Sequence, residues 1–422
     1  MKTLAQLICS DMKVAFGVTE PGAIAFACAK ARGLVGGEVL TVTLDLNSGI
    51  YKNAFTCGIP NSPELGNVYA AALGAVGGDA GLGLEALEPI TEKDNEAARR
   101  LVSEGKVTVN LDRITSVIFI RATVQTTEGV GEVTIEGSHT NVTLVRKNGD
   151  ILFKADPAAA AEDPCENIKG YTLRQLVDYA KTVPLEEIAF LKRAFETDSA
   201  LLEEGMREGR TPMTQTLIAD NGGRIYNGDS KKSAAIVAVG AIEARVAGVP
   251  RAAMSITGSG SHGILAMMPL YAFCKAENRS EEELLRAVCL SCLVTIYIKE
   301  YSGRLSALCG CTLAGGTGTA VGLVMLRGGT DDQYFQAICN MAASLTGMIC
   351  HGGNPGCALK ALIGVNMAFD AAMLAMANTS VGCCHSIMGS TPEKTMQNMG
   401  YVASPGMTDT EEYILEIMKT RK

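Results

Sequence analysis

At 422 residues, with 37 Lys and Arg against 45 Asp and Glu, the chain carries a formal charge of -8. With no Trp and only 5% aromatic residues, it has neither a cationic surface for a phosphate backbone nor a set of stacking platforms, which excludes a nucleic-acid binder. The length suffices for two or three domains with a substantial core, and 46 Gly point to close backbone approaches.

Residues 1–16 include Lys2, Asp11 and Lys13 without a continuous apolar run, so no signal peptide is expected. Fourteen Cys without a secretory signal then read as free thiols in a reducing cytoplasm. To about residue 100, helix-like segments alternate with Gly-rich turns. From Lys106 to Lys154 the pattern becomes apolar–polar alternation rich in β-branched residues (KVTVNLD, SVIFIRATVQ, GEVTIEG, NVTLVRK). That is an antiparallel sheet with one wet face. Residues 156–163 (DPAAAAED) read as a linker.

Beyond it, helix starts accumulate. Thr172/Gln175, Ser280/Glu283, Thr330/Gln333 and Thr408/Glu411 each fit a capping box, and Thr391-Pro392 fits an N-cap followed by Pro. The fold class is therefore α+β. An α+β domain with an antiparallel sheet is expected over 1–165, and a larger, mostly helical domain over 166–422. Leu305–Leu326 is uncharged between Arg304 and Arg327 and long enough to span a bilayer. Its Gly, Thr and Cys content reads instead as a helix buried in protein.

Few chemical motifs stand out. Gly258–Gly263 is formally GxGxxG, but helices over 263–273 and 280–301 with no strand between them argue against a dinucleotide fold. A glycine loop opening a helix and facing a small anion is the better reading. The Cys350-His351/Cys357 and Cys383-Cys384-His385 groupings lack the paired spacing of structural zinc. Cys309, Cys350 and Cys357 lie in Gly- and Ala-rich surroundings (SALCGC, GMICHGGNPGCALK). Three thiolates from separated segments can hold a four-iron cluster and leave one iron open as a Lewis acid. Buried structural Cys is the competing reading.

Eight segments in order carry a resemblance: Thr19-Glu20-Pro21, Lys52-Asn53, Ser138-His139-Thr140-Asn141, GSGSHGI at 258–264, RLSALC at 304–309, GMIC at 347–350, CALK at 357–360 and the closing GMTDTEEYILEIM. Together they resemble the L-cysteine desulfidase family, which is related to the alpha chain of iron–sulfur L-serine dehydratase. The resemblance implies a lyase that works without pyridoxal phosphate, converting L-cysteine to pyruvate, ammonia and sulfide on a four-iron (4Fe-4S) cluster. Cys309, Cys350 and Cys357 match its ligands. It further implies Thr19, Asn53, His139, Ser259, Gly260 and Lys360 as substrate-binding residues.

Departures from the family pattern cluster around proton transfer. Val18 stands where relatives carry a Cys proposed as base, Ser261-His262 replaces Asn-Gln, His351 replaces an acid and Asn354 a Lys. Three residues are thus candidates for proton transfer: His262, His351 and Glu20. For the two His the alternative is local space-filling and hydrogen bonding, and for Glu20 a helix-capping salt bridge. Dehydration of L-serine or a related hydroxy acid is the nearest alternative reaction, and a non-catalytic binding or sensing paralogue the alternative from another class. The expected partner is a small amino-acid substrate, with no nucleic acid and no membrane, and a homo-oligomer left open.

Overall fold

A computed structural model describes residues 3–156 and 166–420. All of the expected linker except Asp156 lies outside the described residues. The chain starts with α1 (Leu4–Asp11), β1 (Lys13–Phe16), α2 (Thr19–Val35), β2 (Val39–Asn47), α3 (Ser48–Ala54), α4 (Gly66–Val76) and α5 (Glu92–Ser103). Five strands follow: β3 (Val107–Arg113), β4 (Phe119–Thr126), β5 (Gly129–Glu136), β6 (Val142–Lys147) and β7 (Asp150–Lys154).

The helical part runs through α6 (Leu173–Thr182), α7 (Leu185–Ile188), α8 (Lys192–Arg207), α9 (Pro212–Asp220) and α10 (Ser230–Val246). A short strand β8 (Ala252–Ser255) precedes α11 (Gly260–Ala276) and α12 (Glu281–Ser302). A π-helical turn over Cys311–Gly315 leads into α13 (Gly316–Leu326), followed by α14 (Asp331–Leu345), α15 (Gly356–Met376), α16 (Pro392–Ala403) and α17 (Thr408–Lys419). The architecture is α+β, as expected.

The six-stranded sheet has the order β3-β2-β4-β5-β6-β7. It is not purely antiparallel: β2 runs parallel to β3, with Val42 opposite Val107. The strand β2 (VLTVTLDLN) lies in the stretch expected to be helices and turns. Its alternation buries Val42, Leu44 and Leu46 against α4 and the neighbouring strands. The chain between β2 and β3 holds three helices, and such a crossover is what a parallel pair requires. The outer face is wet, carrying the ion pairs Arg121–Asp45 and Arg146–Glu132.

Three of the four capping boxes form, at Thr172, Ser280 and Thr330, and Thr391 caps the amide of Lys394. The fourth does not. The Thr408 hydroxyl donates to the Pro405 carbonyl, and Glu411 instead takes the Lys52 ammonium at 2.5 Å. A buried tertiary ion pair has displaced a local cap. The helix expected over Leu305–Leu326 begins only at Cys311, because Leu308 forms a β-bridge with Ile349 and holds 305–310 as a loop. From Cys311 to Val324 that segment is buried. Among the described helices, α15 is long and apolar enough to cross a membrane by length and composition, and it packs against α10, α13 and α14.

One apolar core gathers α2, α4 and the sheet, and the other gathers the helices of the second half. The first sixteen residues belong to both. Leu4, Leu7 and Ile8 of α1 lie in the helical core, Ala15 and Phe16 in the sheet core, and β1 pairs antiparallel with β8. The functional candidates sit where the two cores meet.

Candidate active site

One cavity collects the start of α2 (Val18, Glu20), Asn53 of α3, Arg245 near the end of α10, the start of α11 (Ser259, Ser261, His262), Lys299 of α12, and the loops carrying Arg304–Cys311 and Cys350–Cys357. Its thiols are placed by backbone pairing. At the Leu308–Ile349 bridge the Cys309 amide donates to Met348 at 2.8 Å and the Cys350 amide to Ala307 at 2.5 Å. Two cysteines far apart in sequence are therefore zipped side by side. Cys357 joins them from the first turn of α15, its thiol donating to the Gly352 carbonyl at 3.3 Å.

A fourth thiol, Cys311, lies 3.3 Å from Cys309. This sulfur contact holds the Cys309 thiol well below its ordinary range and pushes Cys311 well above it. Burial pushes Cys357 up to about 12. Every described cysteine is a free thiol.

Buried cations surround these thiols. Arg245 is 3% exposed, and donates from Nη1 to Ser261 Oγ at 3.0 Å and from Nη2 to Thr19 Oγ1 at 3.2 Å, while its Nε has no partner. Burial, then the Arg304 charge, lowers Lys299 to about 8 against the opposing pull of Cys350, Cys309 and Cys311. Arg304 pairs with Asp11 at 2.8 Å. Two helix starts add to the positive field. Neither Val18 before α2 nor Ser259 before α11 caps its helix with a side-chain bond, so first-turn amides there have no side-chain acceptor.

Glu20 is buried and accepts from Asn53 Nδ2 at 2.9 Å, while Asn53 Oδ1 faces the Cys350 thiol at 3.7 Å. His139 Nε2 lies 4.0 Å from Glu20 Oε1 and makes no hydrogen bond. It lines a neighbouring cavity of about 330 Å³ with Asp11, Asn141 and Arg304. Burial holds His139 down to about 4 from an ordinary 6.5, with Glu20 acting in the opposite sense.

Between those pH values the unfolded chain binds the extra proton, so this group's stability contribution is full above 6.5 and lost as pH falls toward 4. At about 1.4 kcal/mol per pH unit the loss amounts to about 3 kcal/mol. Unfolding free energies measured across this range should therefore fall less steeply for His139→Gln than for the parent. Parallel curves would contradict the assignment.

His262 Nδ1 lies 2.7 Å from Thr257 Oγ1, and the Thr257 hydroxyl donates to the Ile256 carbonyl at 2.7 Å. That assigns the imidazole proton to Nδ1 and leaves the Nε2 lone pair facing Gly310. A Cβ at Gly310 would stand 2.6 Å from His262 Nε2 and 3.1 Å from Lys299 Nζ, so glycine between the two thiols lets both groups approach. Burial, and then the Lys299 charge, keep this imidazole well below its ordinary range. Thr257 holds a left-handed φ of 52°, a strain concentrated beside the cavity.

Of the residues singled out by sequence, Glu20, Asn53, Ser259, His262, Cys309, Cys350 and Cys357 line this one cavity. Thr19 and Gly260 lie behind it against Arg245. Three fall outside the lining: His139, which lines the neighbouring cavity, His351 and Lys360. His351 Nδ1 accepts from Asn354 at 2.9 Å, and the Lys360 ammonium donates to the Ile349 carbonyl at 2.5 Å. Sequence reasoning missed Arg245, Lys299, Arg304 and Cys311. For the first two a signal existed: each is the one cation in a mostly apolar helical stretch (AIEARVAGV, LVTIYIKEY), where burial demands a reason.

Among the described residues no three His, Cys, Asp or Glu side chains are gathered around the position of a single metal ion. A cluster spreads its thiolates wider than one ion does, and three free thiols from separate segments on one cavity suit it.

The profile of the serine dehydratase alpha chain family matches residues 81–416. A UPF0597 protein of Clostridium botulinum is 37% identical over 425 residues, 98% of each chain. Another from Clostridioides difficile is 34% identical over 422 residues, covering 98% of each chain. A third, from Bacteroides fragilis, is 34% identical over 419 residues, covering 99% and 97%. The chain belongs to the serine dehydratase alpha chain family.

Proposed function

We propose that the protein is an iron–sulfur-dependent lyase that eliminates the β-substituent of a small amino acid. The observation that carries this reading is the convergence of Cys309, Cys350 and Cys357 with Arg245, Lys299 and His262 on one cavity. The three cysteines would hold a 4Fe-4S cluster, which when bound supplies an open iron as Lewis acid for the leaving group. His262, with its Nε2 lone pair toward the cavity, is the residue assigned to remove the Cα proton. Lys299 provides a fixed positive charge where negative charge develops. Asn53 ties Glu20 to the Cys350 segment and holds that wall in register.

Elimination from L-cysteine releases hydrosulfide and leaves 2-aminoacrylate, which hydrolyses to pyruvate and ammonia. Dehydration of L-serine on the same site is a second reading, favoured by the family whose profile matches. Protein purified without oxygen should release pyruvate and ammonia in equal amounts, with sulfide from L-cysteine distinguishing the two. His262→Gln should lower kcat by about 10²–10⁴ with the iron retained. Iron-replete protein giving no pyruvate from either amino acid would end the lyase reading.

A further inference from the structure

Arg245 is a buried cation that no carboxylate pairs with among the described residues. Of its five N–H donors, two are engaged, by Ser261 and Thr19, which leaves three. Glu20 lies one residue from Thr19 and lines the same cavity, yet no Glu20–Arg245 ion pair forms among the described residues. The Glu20 Oε1 oxygen accepts from Asn53, and among the described residues no side chain is bonded to Oε2. Opposite charges brought to one buried cavity and left unpaired are costly unless something joins them. The uncapped first turn of α11, a 17-residue helix, adds anion-seeking amides beside the guanidinium.

We propose that Arg245 and the first turn of α11 seat the α-carboxylate of the ligand, while Glu20 takes its α-ammonium group. This rests on the lyase reading and deepens it: Arg245 and Glu20 are the residues that set the choice of an α-amino acid over a hydroxy acid of the same size, which is refused for want of the ammonium. Glu20 is then a binding carboxylate, which leaves proton removal to His262. Gly260 is part of the seat, because a Cβ there would stand 2.5 Å from Arg245 Nε and 2.9 Å from its Cδ. The helix approaches the guanidinium only without a side chain at that position.

The test needs no turnover. Calorimetric titration of the full-length, anaerobically prepared protein with L-alanine, L-lactate and propionate separates the two ends of the ligand. L-Alanine should bind more tightly than L-lactate or propionate. Arg245→Met should weaken both L-alanine and propionate by about 10- to 100-fold, the worth of a charge-assisted contact. Glu20→Gln should weaken L-alanine alone. Gly260→Ala keeps the charge but pushes the guanidinium aside, and should reproduce the Arg245 loss even if Arg245→Met fails to fold. L-Alanine bound as tightly by Gly260→Ala as by the parent, or L-lactate bound as well as L-alanine, overturns the proposal. If neither cysteine nor serine yields pyruvate while the binding pattern holds, the lyase reading falls and the seat stands. Pyruvate formed with unchanged KM by Arg245→Met removes the seat and leaves the lyase.

Discussion

Cys350→Ala is expected to lower the iron and acid-labile sulfide of anaerobically reconstituted protein from about four of each per chain to near zero, and to abolish pyruvate formation. The expectation follows from how the thiol is held. Cys350 sits on the strand-like segment bridged to the Cys309 loop, its amide bonded to Ala307 and its sulfur facing Asn53. It cannot be replaced by Cys311, which lies against Cys309 at 3.3 Å, too close for the two to serve separate irons of one cluster. Cys311→Ala should accordingly keep its iron. Equal retention in both variants would remove Cys350 from the ligand set, and equal loss would enlarge that set to include Cys311.

Lys52→Met should destabilise the protein by about 3–5 kcal/mol, measured as a shift in the denaturant midpoint. The Lys52 and Glu411 side chains are 1% and 6% exposed, and their contact is 2.5 Å. Removing the ammonium leaves the Glu411 carboxylate buried without its counter-charge, and also frees the Ser306 carbonyl that Lys52 holds at 3.2 Å. The double variant Lys52→Met/Glu411→Leu, which buries no lone charge, should recover most of the loss. If it does not, the pair matters through packing and not through charge. Ser306 lines the cavity and Asn53 follows Lys52 in α3, so the single variant should also disturb the site.

Much of this was legible in the chain. Capping signals at Thr172, Ser280, Thr330 and Thr391 mark real helix starts, because a hydroxyl and a nearby orphan amide are a local matter. The strands from Val107 onward were legible for the same reason. Thr408/Glu411 misled because a distant Lys52 competes for the carboxylate, and no short window contains that partner. The strand β2 was hidden among Gly-rich neighbours despite its buried Val42, Leu44 and Leu46.

In the site, Cys309, Cys350 and Cys357 were found through the resemblance, which spacing alone would not have supplied. Lys360 matches a family position and His351 departs from one, and both turn to local partners, His351 to Asn354 and Lys360 to the Ile349 carbonyl. Arg245 went unnoticed because its role depends on Thr19 and Ser261 being brought to it from α2 and α11, a fact of tertiary structure.

The pairing of β1 with β8 has a consequence for biosynthesis. The Ser255 hydroxyl reaches back to the Lys13 carbonyl across 242 positions, and Lys52 reaches Glu411 across 359. At roughly 5–20 residues per second of translation, β1 waits on the order of 10–50 seconds for its partner strand. The clasp on α17 can close only when residues through Glu411 have left the ribosome. Until then the nascent chain presents the start of α2 and the Asn53 segment without the helices that later cover them. Contacts of such long range are slow to form, so the interior where the two halves meet is the last part of the molecule to shut.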